Sequence, residues 1–157
     1  MELNKRKVTF DLDGTLLVYG THELRPGAEE LLTNLEKSRR KLVLWSTAGV
    51  EWIIDALEAN TGLEDHFWEM YCQAWPTDRS IFKKLRDHPR FDLAVDLWER
   101  SKFPPAIGSG ALVDDECRGI LEEGARIFGY ALIDATSKEQ EVPDEWANRV
   151  YQALLAL

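Results

Sequence analysis

Apolar residues along the chain fall into two alternating patterns. Short runs rich in β-forming residues occur at Val8-Thr9-Phe10, Leu42 to Trp45, Phe67 to Gln73, Ala111-Leu112-Val113 and Ile127 to Ile133, and each reads as a strand. Between them, apolar positions recur at helical spacing. Ala28, Leu31, Leu32 and Leu35 form one stripe, and Pro26 suits the first position of that helix. Val50, Ile53, Ile54 and Leu57 form a second stripe that ends by Gly62. Cys117, Ile120 and Leu121 continue from Asp114-Asp115-Glu116 as a helix ended by Gly124, and Trp146, Val150 and Leu154 follow Pro143-Asp144-Glu145 as the last one. Strand and helix alternation of this kind predicts a doubly wound, three-layer α/β sandwich with a central parallel sheet, occupying residues 1–157 as one domain.

Residues 74–101 are harder to read. Pro76-Thr77-Asp78-Arg79 looks like a loop that caps a helix through Ile81, Phe82 and Leu85. Phe91 to Leu97 alternates like a strand, with a helix as the other reading, and Asp92 and Asp96 read as a solvated face. Trp45 and Trp146 read as core, whereas Trp75 and Trp98, flanking this segment, are candidates for a pocket rim.

Composition narrows the class. Apolar content of 45% with 30% charged residues is that of an ordinary globular protein. No apolar run approaches the roughly 20 residues needed to cross a bilayer. The N-terminus leads straight into the first strand without a signal peptide, so the cytoplasm is the expected location. Cys72 and Cys117 lack any CxxC spacing and read as reduced thiols. A net charge of −9 argues against non-specific binding to nucleic acid, since the basic runs are only Lys5-Arg6-Lys7 and Arg39-Arg40-Lys41. A small phosphorylated metabolite is the easier substrate to imagine, although a local basic patch could recruit a polymer.

The first strand also carries the chemistry. It delivers Asp11 to its exit, the chain skips one residue to place Asp13, and Gly14-Thr15 turns away. In an open α/β sheet, ligands bind at the carboxyl ends of the strands. A carboxylate placed there can attack phosphorus and form an aspartyl-phosphate, while a second moves protons for the leaving group and the incoming water. Ser46-Thr47-Ala48-Gly49, at the exit of the second strand, reads as a phosphate cradle or as a helix cap; Ser46 or Thr47 supplies the hydroxyl, and alignment to the strand end favours Ser46. His22 reads as a surface residue that could overhang the site.

Asp11-Leu12-Asp13-Gly14-Thr15-Leu16 resembles the first motif of the haloacid dehalogenase superfamily of phosphohydrolases. Ser46 after its strand, Lys102 ahead of the fourth strand and the pair Asp114-Asp115 after it match that family's further motifs, in its order. Lys83 and Lys84 are rivals for the Lys. The resemblance implies Asp11 as nucleophile and Asp13 as general acid/base, with Ser46 or Thr47 and Lys102 holding the phosphoryl oxygens. It also implies magnesium on Asp11, Asp114 and the Asp13 backbone carbonyl, with Asp115 in support. Charge arithmetic points the same way, because two carboxylates about 4 Å apart repel by roughly 4 kcal/mol at an effective dielectric near 20. Oxygen ligands and a phosphate substrate suit Mg²⁺ better than zinc.

The resemblance thus implies a Rossmann-type hydrolase with little or no cap domain, acting on a phosphorylated small molecule or macromolecule. Capless members either form homo-oligomers or use large substrates as their own lid. A phosphotransferase of the same family and a non-catalytic phosphate-binding regulatory module are the alternatives; a receiver domain has its motifs in another order.

Overall fold

Five strands, β1 (Asn4–Phe10), β2 (Lys41–Trp45), β3 (Glu69–Tyr71), β4 (Ser109–Asp114) and β5 (Ala131–Asp134), pair in the order β3-β2-β1-β4-β5. Every pairing is parallel. The structure, a computed structural model, describes residues 2–72 and 80–157. The helices are α1 (Ala28–Lys37), α2 (Val50–Ala59), α3 (Ser80–Leu85), α4 (Phe91–Arg100), α5 (Ile120–Phe128) and α6 (Glu145–Leu155), with 3₁₀ turns at Leu63–His66 and Pro104–Ile107.

The near-continuous apolar runs follow from burial on both faces, as parallel sheets require. Val8, Phe10, Leu42, Leu44, Ala111 and Val113 pack in one core with residues of α1, α2 and α6. Leu112, one position out of phase, packs in a second core with Leu93, Ala94 and Leu97 of α4 and Leu121 of α5. Alternate residues thus feed opposite layers, and the chain is a Rossmann-like α/β sandwich. None of the described helices is long and apolar enough to cross a membrane.

Several local expectations change. Phe91 to Leu97 is helical, because the pattern that alternates also places Leu93, Ala94, Leu97 and Trp98 on one buried face. Trp98 is therefore a core residue and not a pocket rim. Gly124 lies inside α5 instead of ending it; a Cβ there would stand 2.5 Å from Leu97 Cδ1 and 2.6 Å from the Tyr130 hydroxyl, so it serves close packing. The helix ends at Gly129, in the left-handed region at φ 80°. Ile127 and Phe128 accordingly belong to α5, and β5 begins at Ala131. On α2 the buried residues are Ile53 and Ala56, while Val50 and Ile54 face outward. Trp75, the loop Pro76-Thr77-Asp78-Arg79 and the expected end of β3 at Gln73 lie outside the described residues.

Candidate active site

In this strand order, the chain leaves β1 toward β2 on one side and leaves β4 toward β5 on the other. The crossovers therefore diverge between β1 and β4, and a crevice opens at the carboxyl ends of these two central strands. Asp11 and Asp114 stand there. The Asp11 N–H donates to the Val113 carbonyl at 3.0 Å, which carries the ladder one residue past β1 and fixes the height of its carboxylate. Beyond it the chain turns sharply, with the Leu12 carbonyl accepting from Leu16 and Leu17, both at 3.0 Å. Gly14 makes that turn at φ 79°. Leu17 then bridges to Leu24, closing a small hairpin that the sequence presented only as a connection.

Lys102 is buried between the two strand ends. Its Nζ lies 3.1 Å from Asp11 Oδ1 and 2.9 Å from Asp114 Oδ2. Lys83 and Lys84 are exposed on α3, whereas Lys102 is the lysine paired with both carboxylates. Asp114 Oδ1 accepts the Glu116 N–H at 2.9 Å, and the helix that was expected at Asp114 begins only at Ile120. Helix capping therefore does not account for the acidic pair. Thr15, fully buried, donates from Oγ1 to Asp11 Oδ2 at 3.0 Å and lies 3.4 Å from Asp115 Oδ1. Carboxylate oxygens of Asp11, Asp114 and Asp115 all lie within 4.8 Å of one another. The Asp13 carboxylate is turned aside, accepting the Gly20 N–H at 2.8 Å in the hairpin.

Burial pushes the Asp11 carboxyl up to about 8, with Asp114 and Asp115 adding to the rise and Lys102 opposing it. Asp115 is also raised, chiefly by burial. Burial alone would lower the pKa of Lys102, but Asp11 and Asp114 outweigh it and hold the ammonium's pKa above the usual lysine value. Three carboxylates against one ammonium leave the cluster two negative charges in excess when all are ionised. That excess and the all-oxygen donor set fit a hard divalent cation such as Mg²⁺. The nearby thiol does not alter this: burial, then the charge of Asp114, pushes Cys117 up to about 12, and its S–H donates to the Asp114 carbonyl at 3.2 Å.

Ser46 continues β2, its N–H donating to the Tyr71 carbonyl at 3.0 Å. Phe10 pairs with Leu44, so Ser46 emerges at the same sheet edge as Asp11. Its buried Oγ accepts the Ala48 N–H at 3.2 Å, while Thr47 is exposed and Gly49 caps α2 without a side-chain bond. The hydroxyl at the sheet edge is thus Ser46. His22 lies against Trp52, ring centroids 5.0 Å apart.

Two arginines that the sequence did not single out hold the loops together. Arg25 Nη1 donates to the carbonyls of Thr15 at 2.8 Å and Ala135 at 2.9 Å, and Nη2 donates to Ser137 Oγ at 2.9 Å. The guanidinium lies over the Trp146 ring, 3.8 Å from its centroid. Arg149 donates to the carbonyls of Asp134 and Thr136, both at 2.6 Å. Thr136 Oγ1 in turn donates to the Asp115 carbonyl at 3.1 Å. A cavity of about 250 Å³, lined by Gly14, Tyr19, Arg25, Asp115 and Thr136 among others, opens beside the cluster.

No family model matches the sequence, and no curated protein does. A solved structure of a conserved protein from Bacteroides thetaiotaomicron aligns with 66% of this chain and 97% of its own, at 19% identity and a TM-score of 0.31. A likeness that weak carries no argument about fold or chemistry.

Proposed function

We propose that this chain is a magnesium-dependent phosphomonoester hydrolase of haloacid dehalogenase type, working through an aspartyl-phosphate on Asp11. The observation that carries the reading is the convergence of Asp11, Lys102, Asp114 and Asp115, from distant parts of the chain, in one crevice. Burying a lysine between two carboxylates carries a large desolvation cost, and costly, perturbed groups of this kind cluster at functional sites. Asp11 Oδ attacks phosphorus opposite the ester oxygen, the P–O ester bond breaks, and Asp13, rotated away from the Gly20 N–H that it accepts in this structure, gives the leaving alkoxide its proton. Asp13 then takes a proton from water, whose oxygen attacks the same phosphorus and releases Asp11 with inorganic phosphate. Lys102, charged throughout, lies against the attacking carboxylate and offsets charge gathering on the phosphoryl oxygens. Ser46 donates its hydroxyl to one of those oxygens. Asp11, Asp114 and Asp115 would hold Mg²⁺, which lets an anionic nucleophile meet an anionic ester.

The test is release of inorganic phosphate from sugar phosphates, nucleotides and phosphopeptides, with Mg²⁺ and with EDTA. Turnover that needs the metal and falls by about 10³-fold or more in Asp11→Asn, the fold unchanged, is the expected result. Full activity in Asp11→Asn would refute the mechanism. Tight binding of a phosphate ester without any turnover would favour the regulatory module instead.

A further inference from the structure

The two short basic runs lie far apart in sequence, but the β1–β2 register places Lys7 opposite Lys41 and so merges them at the amino end of the sheet. That end is roughly 20 Å from Asp11, the length of β1. Lys7 is spent on Glu69, at 3.3 Å. Lys5, Arg6, Lys37, Arg39 and Arg40 have no ion-pair partner among the described residues. Arg40 donates from Nη1 to the Ser38 carbonyl, and its buried Nε has no partner. The carboxyl ends of α1 and α6 meet here too, and a cation at each would complement their dipoles. Five unpaired cations exceed that need, in a protein whose net charge is −9.

The surface has shape as well as charge. Lys5, Arg6 and Arg40 line a cleft of about 630 Å³ with Leu155 and Leu157, Glu2 being the acidic residue among them. Beside β2, Trp68 is 73% exposed, with Lys41 Nζ 4.5 Å from the centre of its ring. Cations along a cleft with an open aromatic face alongside suit a flexible chain of phosphates bearing planar bases. A cleft admits such a chain more readily than it admits a flat bilayer, and an anionic bilayer would also meet the acidic remainder of the molecule.

We propose that this end of the sheet binds single-stranded nucleic acid, with phosphates on Lys5, Arg6, Arg39 and Arg40 and a base against Trp68. The inference does not rest on the catalytic reading, because it uses none of the same residues. It is tested with a fluorescein-labelled oligothymidylate lacking terminal phosphates, by fluorescence polarisation in EDTA. Four phosphate contacts give a salt slope near −2.8, so affinity is expected to fall by about 50-fold between about 50 and 200 mM salt. Arg6→Glu combined with Arg39→Glu should weaken binding by about tenfold or more and flatten the slope by about 1.4. Trp68→Ala should weaken it by about fivefold or more. Hydrolysis of p-nitrophenyl phosphate should be unchanged in these variants; if the protein hydrolyses nothing, the oligonucleotide result still stands. Should the double reversal fail to fold, Arg6→Gln with Arg39→Asn replaces it, since Asn tolerates the φ of 60° at Arg39. No binding at low salt, or binding indifferent to these substitutions, overturns the proposal. So does capture by phosphatidylserine vesicles with none of the oligonucleotide, which would make the patch a membrane contact.

Discussion

At Gly14, backbone geometry and site geometry constrain the same atom. Its φ of 79° is left-handed, and a Cβ would stand 2.3 Å from Asp115 Oδ2. Gly14→Ala should cost about 1–2 kcal/mol for the backbone alone. It should also displace Asp115, so a lowered melting temperature is expected together with weaker magnesium binding by calorimetry; a variant that loses only stability would separate the turn from the site. Lys102 presents the opposite case, a charge whose removal harms its partners. Lys102→Met leaves Asp11 and Asp114 facing each other in a buried crevice, and losing one partner of a buried pair costs about 3–5 kcal/mol. Denaturant unfolding should show that loss, and added Mg²⁺ should recover part of it. Asp11, Ser46, Lys102 and the Asp114-Asp115 pair were legible because each stands where an apolar run stops or a loop rejoins the sheet. Position in the sequence already favoured Ser46 over Thr47 and Lys102 over Lys83 and Lys84; the buried place of each beside Asp11 is visible only in the fold. Arg25 left no local trace, since the Ala135 carbonyl that it holds is 110 positions away in the chain.

Among the elements, the 3₁₀ turn Leu63–His66 shows how a short segment can tie two helices. It follows α2 and reaches back to α1, where the His66 ring nitrogens meet Glu29, at 2.6 Å, and Glu36. Burial works against a charge on His66, but the carboxylates of Glu36 and Glu29 outweigh it and raise its pKa in the folded protein. Stability from this pair is therefore complete below about pH 6.5, the unfolded value, and is lost as pH rises through the higher folded value. Thermal melts should fall as pH rises through that window, and His66→Gln should flatten the dependence; an equal slope in the variant would remove His66 as its source. Helix boundaries were the least legible feature. Gly124 reads as a stop until Leu97 and Tyr130 are seen to occupy the space that a side chain would need. The alternation in Phe91 to Leu97 is equally compatible with a helix, and only the layer beneath it decides.

For the molecule as a whole, the parallel α/β layering was legible because alternating elements leave few other ways to bury every strand on both faces. Strand order was not, because nothing local says whether β4 joins β1 or β3. Arg25 belongs to this scale, since its guanidinium spans the loop after β1, the loop after β5 and α6. Lysine would keep the charge but lose the planar fork and the stacking on Trp146. Arg25→Lys is expected to lose about 1–2 kcal/mol of stability, measured by urea unfolding, and to slow phosphate release with the substrate KM little changed. Unaltered turnover would show that the brace supports the fold and not the site.

The central position of β1 also bears on how the chain folds. Its partner on one side, β2, follows a single helix later, but on the other side Thr9 must find Leu112. Pairing across so much intervening chain carries a larger loop-closure cost than the β1–β2 pairing and is expected to follow it. The segment from β1 through β3 can form its pairings before that step, yet Asp11 then lacks Lys102 and both later aspartates. The crevice is thus absent from every partly folded state in which β4 has not joined β1, and the coming together of Asp11 and Lys102 would time that pairing.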